Sequence, residues 1–151
     1  DHCQLTNMGH DCFSIFGGVA EISHCTFAQF YPFSADRGVA LLIANCWKGH
    51  APPLLRMECR NSILTGYKDD VITGMIDADT TTVFNYMFEK SLIRTPRVEG
   101  SDSVRYTQII WESPNDSIEG KKQFKIIDED NLYYDFHLDS LSTAKGLGCY
   151  R

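Results

Sequence analysis

Val104-Arg-Tyr-Thr-Gln-Ile-Ile-Trp111 is the stretch on which the fold reading turns. Val104, Tyr106, Gln108 and Ile110 alternate with Arg105, Thr107, Ile109 and Trp111, the period of two expected of a half-buried strand. Pro114, Asn115, Asp116, Ser117 and Gly120 then mark a turn, and Lys121 opens another β-prone run in which Phe124 and Ile126 share a face. Asp128, Glu129, Asp130 and Asn131 reverse the chain. Beyond them Leu132, Tyr134, Phe136 and Leu138 point one way and Tyr133, Asp135 and His137 the other. Residues 104–138 therefore read as an antiparallel meander.

The same alternation extends upstream. Thr82, Phe84, Tyr86 and Phe88 share one face of a middle strand, with Val83, Asn85, Met87 and Glu89 on the other. Val39, Leu41 and Ile43 oppose Ala40, Leu42 and Ala44 in a strand with both faces covered, and Leu55, Met57 and Cys59 form the inward face of the next. Val19 to Phe33 fits neither period cleanly. The expectation is a mostly antiparallel β domain spanning residues 1–151, built as a disulfide-stabilised β-barrel, with a β-sandwich as the alternative.

A chain of 151 residues with 43% hydrophobic content is long enough for one substantial core. The formal net charge of -6 gives no general attraction for nucleic acid, and no apolar run is long enough for a transmembrane helix. Cys3, Cys12, Cys25, Cys46, Cys59 and Cys149 permit three bridges, with Cys149 expected to join Cys46 or Cys59 and fasten the last segment to the body. Without a CxxC pair, the cysteines do not suggest a zinc ribbon or a redox dithiol. An even cysteine count, a start at Asp1 rather than Met, and the N-glycosylation acceptor Asn115-Asp116-Ser117 point to a secreted, extracellular protein.

Catalytic and cofactor patterns are absent. Ser23 beside His24, and Ser140 near His137, lack the third group that would orient a base. Gly17-Gly18 lacks the spacing and the lysine of a phosphate loop. Asp69, Asp70, Asp77 and Asp79 carry suitable oxygens but not the spacing of a calcium loop. His2, His10 and Cys12 are metal-competent side chains near one another, but an acidic loop tied down by Cys3 and Cys12 explains them without requiring a ligand geometry, and no metal or cofactor is expected.

Two family resemblances bear on function. Tyr106-Thr-Gln-Ile-Ile-Trp111 resembles the YTQ-x-x-W core of a signature in secreted CAP-superfamily proteins, with Arg105 where that family commonly has His. It covers only this short stretch, the β alternation opposes that family's α-β-α sandwich, and no site carries over. In size, strand count and late cysteine the chain also resembles lipocalins, although it lacks their early G-x-W motif. That resemblance implies an antiparallel barrel around a small apolar ligand. The leading expectation is thus sequestration of a small hydrophobic or amphipathic molecule in an internal pocket, with Phe84, Tyr86, Phe88, Tyr106, Trp111, Tyr134 and Phe136 as the lining candidates. The alternative is a secreted protein-binding modulator or inhibitor that contacts an extracellular protein through the loops Asp69 to Asp79 and Glu112 to Gly120.

Overall fold

Five short segments set the course of the backbone: Asp1-His2-Cys3, Ser23-His24-Cys25, Arg60-Asn61-Ser62, Glu89-Lys90-Ser91 and Thr107-Gln108-Ile109. In each, the central residue is left-handed, with φ of 53°, 56°, 50°, 45° and 53° in that order. One such residue between two extended neighbours bends a strand sharply without folding it back as a hairpin, so the chain leaves one sheet and enters the next. Successive corners are tied by backbone hydrogen bonds: His2 to the Ser23 carbonyl at 2.9 Å, His24 to Arg60 at 3.1 Å, Asn61 to Glu89 at 3.1 Å, and Lys90 to Thr107 at 2.9 Å.

The computed structural model describes residues 1–33, 37–116 and 119–147. The chain runs through β1 (Gln4–Thr6), β2 (Phe13–Phe16) and β3 (Gly18–Ser23), then β4 (Thr26–Gln29), β5 (Leu41–Ala44) and β6 (Leu54–Arg60), then β7 (Ile63–Gly66), β8 (Ile72–Met75) and β9 (Phe84–Glu89). A shorter coil follows, with β10 (Leu92–Arg94), a 3-10 turn over Gly100–Arg105, β11 (Tyr106–Thr107) and β12 (Ile110–Glu112). A second 3-10 turn (Lys121–Gln123) leads to β13 (Phe124–Asp128) and β14 (Tyr133–Leu138). Each strand pairs with its equivalent one coil later, which gives a first sheet in the order β1-β4-β7-β10-β12, a second β2-β5-β8, and a third β3-β6-β9-β11. Every pairing within these three sheets is parallel. The result is a three-sided β-solenoid.

Parallel register lines up like positions of successive coils. Leu5, Phe27, Leu64, Ile93 and Trp111 form one ladder along the inner face of the first sheet. Ile22, Cys59, Phe88 and Tyr106 form another on the third sheet, beside Ala20, Met57 and Tyr86. With Ile15, Leu41 and Ile43 from the second sheet, these side chains fill the interior. The outer face of the first sheet is also covered. Ala28, Ile63 and Leu92 pack with Phe30, Phe124 and Ala144, and with Tyr134 and Phe136 of the antiparallel β13–β14 hairpin. Burial on both faces accounts for the uninterrupted apolar character of β7 and β10. The outer face of the third sheet is instead solvated, and carries the pairs Glu21–Arg56 at 2.5 Å and Glu89–Arg60 at 3.2 Å.

The expected antiparallel barrel, lipocalin-like or otherwise, and the alternative sandwich are both overturned. The sheets are open, separate and parallel, and β13–β14 is the one antiparallel pair of strands among the described residues. Alternation fixes which face a side chain takes but carries no information about strand direction. The stretch 104–111 is not one strand: Val104 and Arg105 end a 3-10 turn, and Gln108 is the left-handed corner between β11 and β12. Leu55 does not join Met57 and Cys59 on the inner face, because a register shift between Leu54 and Met57 puts Leu54 inside and leaves Leu55 exposed.

The disulfide framework is corrected as well. Cys3, Cys12, Cys25, Cys46 and Cys59 are free thiols, while Cys149, with its expected bond to Cys46 or Cys59, lies outside the described residues. Cys3 and Cys25 hold the same corner position as Ser62 and Ser91, and Cys59 is a rung of the interior ladder. Here cysteine serves as a small residue of the coil repeat rather than as half of a cross-link.

Candidate functional site

Between the second and third sheets the coils differ in length. The first coil crosses with Gly17 alone, whereas the second inserts residues 45–53 and the third residues 76–83. Inserted loops on one side of a regular stack are where a solenoid can vary its surface without disturbing its core. Fully buried Asn45 joins the two insertions. Its Oδ1 accepts from the Asp77 amide at 2.7 Å, and its Nδ2 donates to the Thr82 carbonyl at 3.3 Å.

Trp47 and His50 face each other across a two-residue hairpin, with backbone hydrogen bonds of 2.8 and 2.9 Å. Lys48 and Gly49 at its tip have φ of 48° and 80°, the positive pair that such a tight turn requires. The hairpin holds the Trp47 ring against Phe16, with centroids 4.4 Å apart, and the Lys48 ammonium lies 5.2 Å from the ring centre. Trp47 is nevertheless 44% exposed. Beside it, Cys46, His50, Met75 and Asp77 help to line an open cleft of about 340 Å³. An indole edge, an imidazole, a carboxylate and an ammonium thus border one depression on a braced scaffold. Phe16, Val19, Trp47, Leu55, Ile76 and Val83, all exposed, lie at or within two residues of this corner.

The residues expected to line a pocket fall elsewhere and into two groups. Phe84, Tyr86, Phe88 and Tyr106 of the third sheet form a continuous aromatic cluster with Trp111 of the first, with Phe88 stacked on Tyr106 at 5.2 Å and Tyr106 against Trp111 at 5.4 Å. Burial pushes the Tyr106 hydroxyl above its ordinary pKa, and the neighbouring Tyr86 adds to the effect. Tyr134 and Phe136 stack on each other in the separate cluster outside the first sheet. All seven therefore pack against neighbouring side chains. Tyr86 also borders a surface depression, one of about 250 Å³ beside Arg56 and Arg105.

Other candidates also separate. His2 lies not with His10 and Cys12 but against His24, with the rings stacked at 4.8 Å, and Asp1 completes a potential metal-ligating trio. Burial pushes the Cys12 thiol up to about 11, which suits a packed thiol rather than a ligand. Of the acidic run, Asp77 borders the Trp47 cleft, while Asp70 and Asp79 accept hydrogen bonds from nearby backbone amides within their own turns. Asn115 is exposed at a turn. The loop it belongs to is anchored by fully buried Arg94, whose guanidinium donates to the carbonyls of Asp116, Lys68 and Pro114 at 2.7, 2.8 and 3.2 Å.

Trp47, His50 and Asp77 converge only because strand pairing stacks the second and third coils. The signal that would have located them is the corner repeat, DHCQLT, SHCTFA, RNSILT, EKSLIR and TQIIWE, which marks the coils and thereby the inserted loops. Fold and site together define a parallel β-solenoid with a loop-built aromatic corner. Comparison with protein-family models, curated proteins and solved structures gives no match, so a functional reading rests on this geometry.

Proposed function

We propose that this protein is a recognition module that binds a protein partner through the corner around Trp47. The observation that carries the reading is the gathering of six exposed apolar side chains, Phe16, Val19, Trp47, Leu55, Ile76 and Val83, at one edge of the solenoid. Exposed apolar groups rimmed by charge are characteristic of protein-binding surfaces, and tryptophan is the residue type that most often anchors them. The short Trp47–His50 hairpin and the Asn45 brace lower the ordering cost of binding. Asp77 supplies a polar contact at the rim, which brings the end of the Asp69 to Asp79 loop into the interface. Storage of a small molecule inside the domain has less support, because its seven aromatic candidates pack against one another and other core residues. An extracellular setting belongs to the proposal through the acceptor sequence at Asn115 and draws no support from the cysteines.

Native mass spectrometry of the protein isolated without denaturation tests this directly, with Trp47→Ala prepared in parallel. The expected result is a protein complex that the variant loses while its circular dichroism and melting temperature stay close to those of the parent. A retained small molecule, with no protein complex, would overturn the reading.

A further inference from the structure

We propose that the outer edge of β8 receives an extended, basic segment of the partner protein as an added strand, a proposal that rests on the reading of the Trp47 corner as a protein-binding surface. The first sheet has five strands and the third four, but the second ends at its third strand, β8. In the fourth coil, residues 95–105 pass from β10 to β11 without adding a strand to it. The register pairs Leu41 with Ile72 and Ile43 with Gly74, and the Leu41 and Asn45 amides donate to the carbonyls of Val71 and Met75. In a parallel ladder alternate residues serve opposite neighbours, so Val71, Thr73 and Met75 bond toward β5 while Ile72 and Gly74 turn their backbone groups outward. Asp70 Oδ1 accepts from the Ile72 amide at 2.9 Å. Among the described residues nothing pairs with the Ile72 carbonyl or with either backbone group of Gly74. Such an edge is a template for one more strand.

Side-chain positions along β8 define what that strand carries. Ile15 pairs with Ile43 and Ile43 with Gly74, so Gly74 is the third position of an interior ladder and leaves it without a side chain. Gly74 is exposed, and a Cβ built on it meets no atom within 4 Å. A residue paired with Gly74 faces the same way, and an apolar side chain there fills the gap. The next residue of the segment pairs with Met75 and faces outward, where Met75, His50 and Asp77 border the Trp47 cleft. Charge selects the occupant. Asp69 and Asp70 precede β8, and Asp77 and Asp79 follow it. A second copy laid antiparallel on this edge would set the Asp69–Asp70 end of one strand against the Asp77–Asp79 end of the other, in a chain whose net charge is already -6. Lysine or arginine beside the apolar residue of a foreign segment is attracted to the same carboxylates.

The probe is a phage-displayed library of random peptides panned against the full chain under reducing conditions, with the strongest binder synthesised and titrated by fluorescence polarisation. Enriched sequences should place apolar residues at every second position with lysine or arginine between them, and binding should weaken as salt is raised. Methylating successive peptide amides should weaken binding by about tenfold or more at alternate positions and leave the intervening ones unchanged. Gly74→Pro removes the outward N–H but no bond to β5, and should weaken binding by about tenfold or more. Circular dichroism and thermal melts establish that this variant folds, and if it does not, the methylation series on the parent protein decides the matter. No enriched sequence, methylation effects without alternation, binding indifferent to salt, or unchanged affinity in folded Gly74→Pro would each overturn the proposal. So would a dimer of the chain in sedimentation that Gly74→Pro abolishes, since the second copy would then be the occupant. Peptide binding lost in Trp47→Ala but kept in Gly74→Pro would overturn strand addition and leave the reading of the Trp47 corner standing, whereas binding kept in both would overturn the two together.

Discussion

Ser62 Oγ accepts a hydrogen bond from the backbone amide of Cys25 at 3.1 Å, although the two residues are 37 positions apart and lie in different coils. The same hydroxyl donates to the Arg60 carbonyl at 2.7 Å, and the Ser62 amide in turn reaches Ser91 Oγ at 3.2 Å. Position three of the corner is thus a short hydrogen-bonded ladder sealed from water. Ser62→Ala takes this acceptor from the buried Cys25 amide, while the Arg60 carbonyl keeps its bond from the His24 amide, at a cost of about 1–3 kcal/mol. Cys25→Ser keeps a donor for the Ser23 carbonyl and should change stability far less. Equilibrium urea denaturation of the two variants measures the contrast, and equal losses would refute it.

Gly17 and Gly18 separate two penalties that sequence reading cannot tell apart. Both have positive φ, 75° and 84°. A Cβ on Gly17 would meet Pro52 Cβ at 2.7 Å and the Pro52 carbonyl oxygen at 2.8 Å, whereas one on Gly18 would meet open space. Gly18→Ala should therefore cost only the backbone term of about 1–2 kcal/mol. Gly17→Ala adds overpacking of about 1–3 kcal/mol. Because Gly17 is the whole passage from β2 to β3, its replacement should also loosen the Pro52 end of the Trp47 loop. Thermal melts of both variants test the order.

Strand content was legible in the sequence, and sheet direction was not. Alternation alone sets Phe88 on one face with Phe84 and Tyr86, and splits Tyr134 from His137 on the terminal hairpin, but it does not say which face is inward. Direction depends on corners such as His24, Asn61 and Gln108, where a single left-handed residue replaces a recognisable turn. Asparagine and histidine are enriched in that conformation but adopt it at only a minority of their positions. Lysine and glutamine conceal it, so YTQIIW looked continuous. The cysteines misled for a related reason: Cys3 and Cys25 repeat because corners repeat, and an even count then resembles a disulfide framework. Trp47 was visible as an aromatic at a strand end, but its place with Asp77 on one cleft depends on coil stacking that no local pattern carries.

Thiol labelling gives a direct check on the cysteines. Cys3 is exposed and Cys46 half-buried, whereas Cys12, Cys25 and Cys59 are buried. Burial also pushes the Cys59 thiol up to about 12, which leaves almost no reactive thiolate at neutral pH. Native protein should modify quickly at Cys3, more slowly at Cys46, and at Cys12, Cys25 and Cys59 only on unfolding. Peptide mapping after timed alkylation resolves the sites. A disulfide between any two of these five, or rapid native labelling of Cys59, would contradict the free-thiol core.

Glu112 is the residue whose titration should be visible in stability. Its carboxylate is buried on the outer side of the first sheet and accepts from Thr65 Oγ1 at 2.6 Å. Desolvation raises its pKa above the ordinary 4.5, with hydrogen bonds from Thr65 and Gln123 and the charge of Arg94 opposing the shift without cancelling it. In the folded protein the proton is held to higher pH than in the unfolded chain, so the native state binds more protons between those two values. Stability from this group is then complete below the unfolded pKa and declines as pH rises through the folded one. Glu112→Gln removes the titration while preserving an acceptor for Thr65. Denaturation midpoints measured from acid to neutral pH should show the advantage of the parent over Glu112→Gln shrinking, or reversing, as pH increases. Parallel curves for the two proteins would mean that Glu112 ionises in the fold as easily as it does in water.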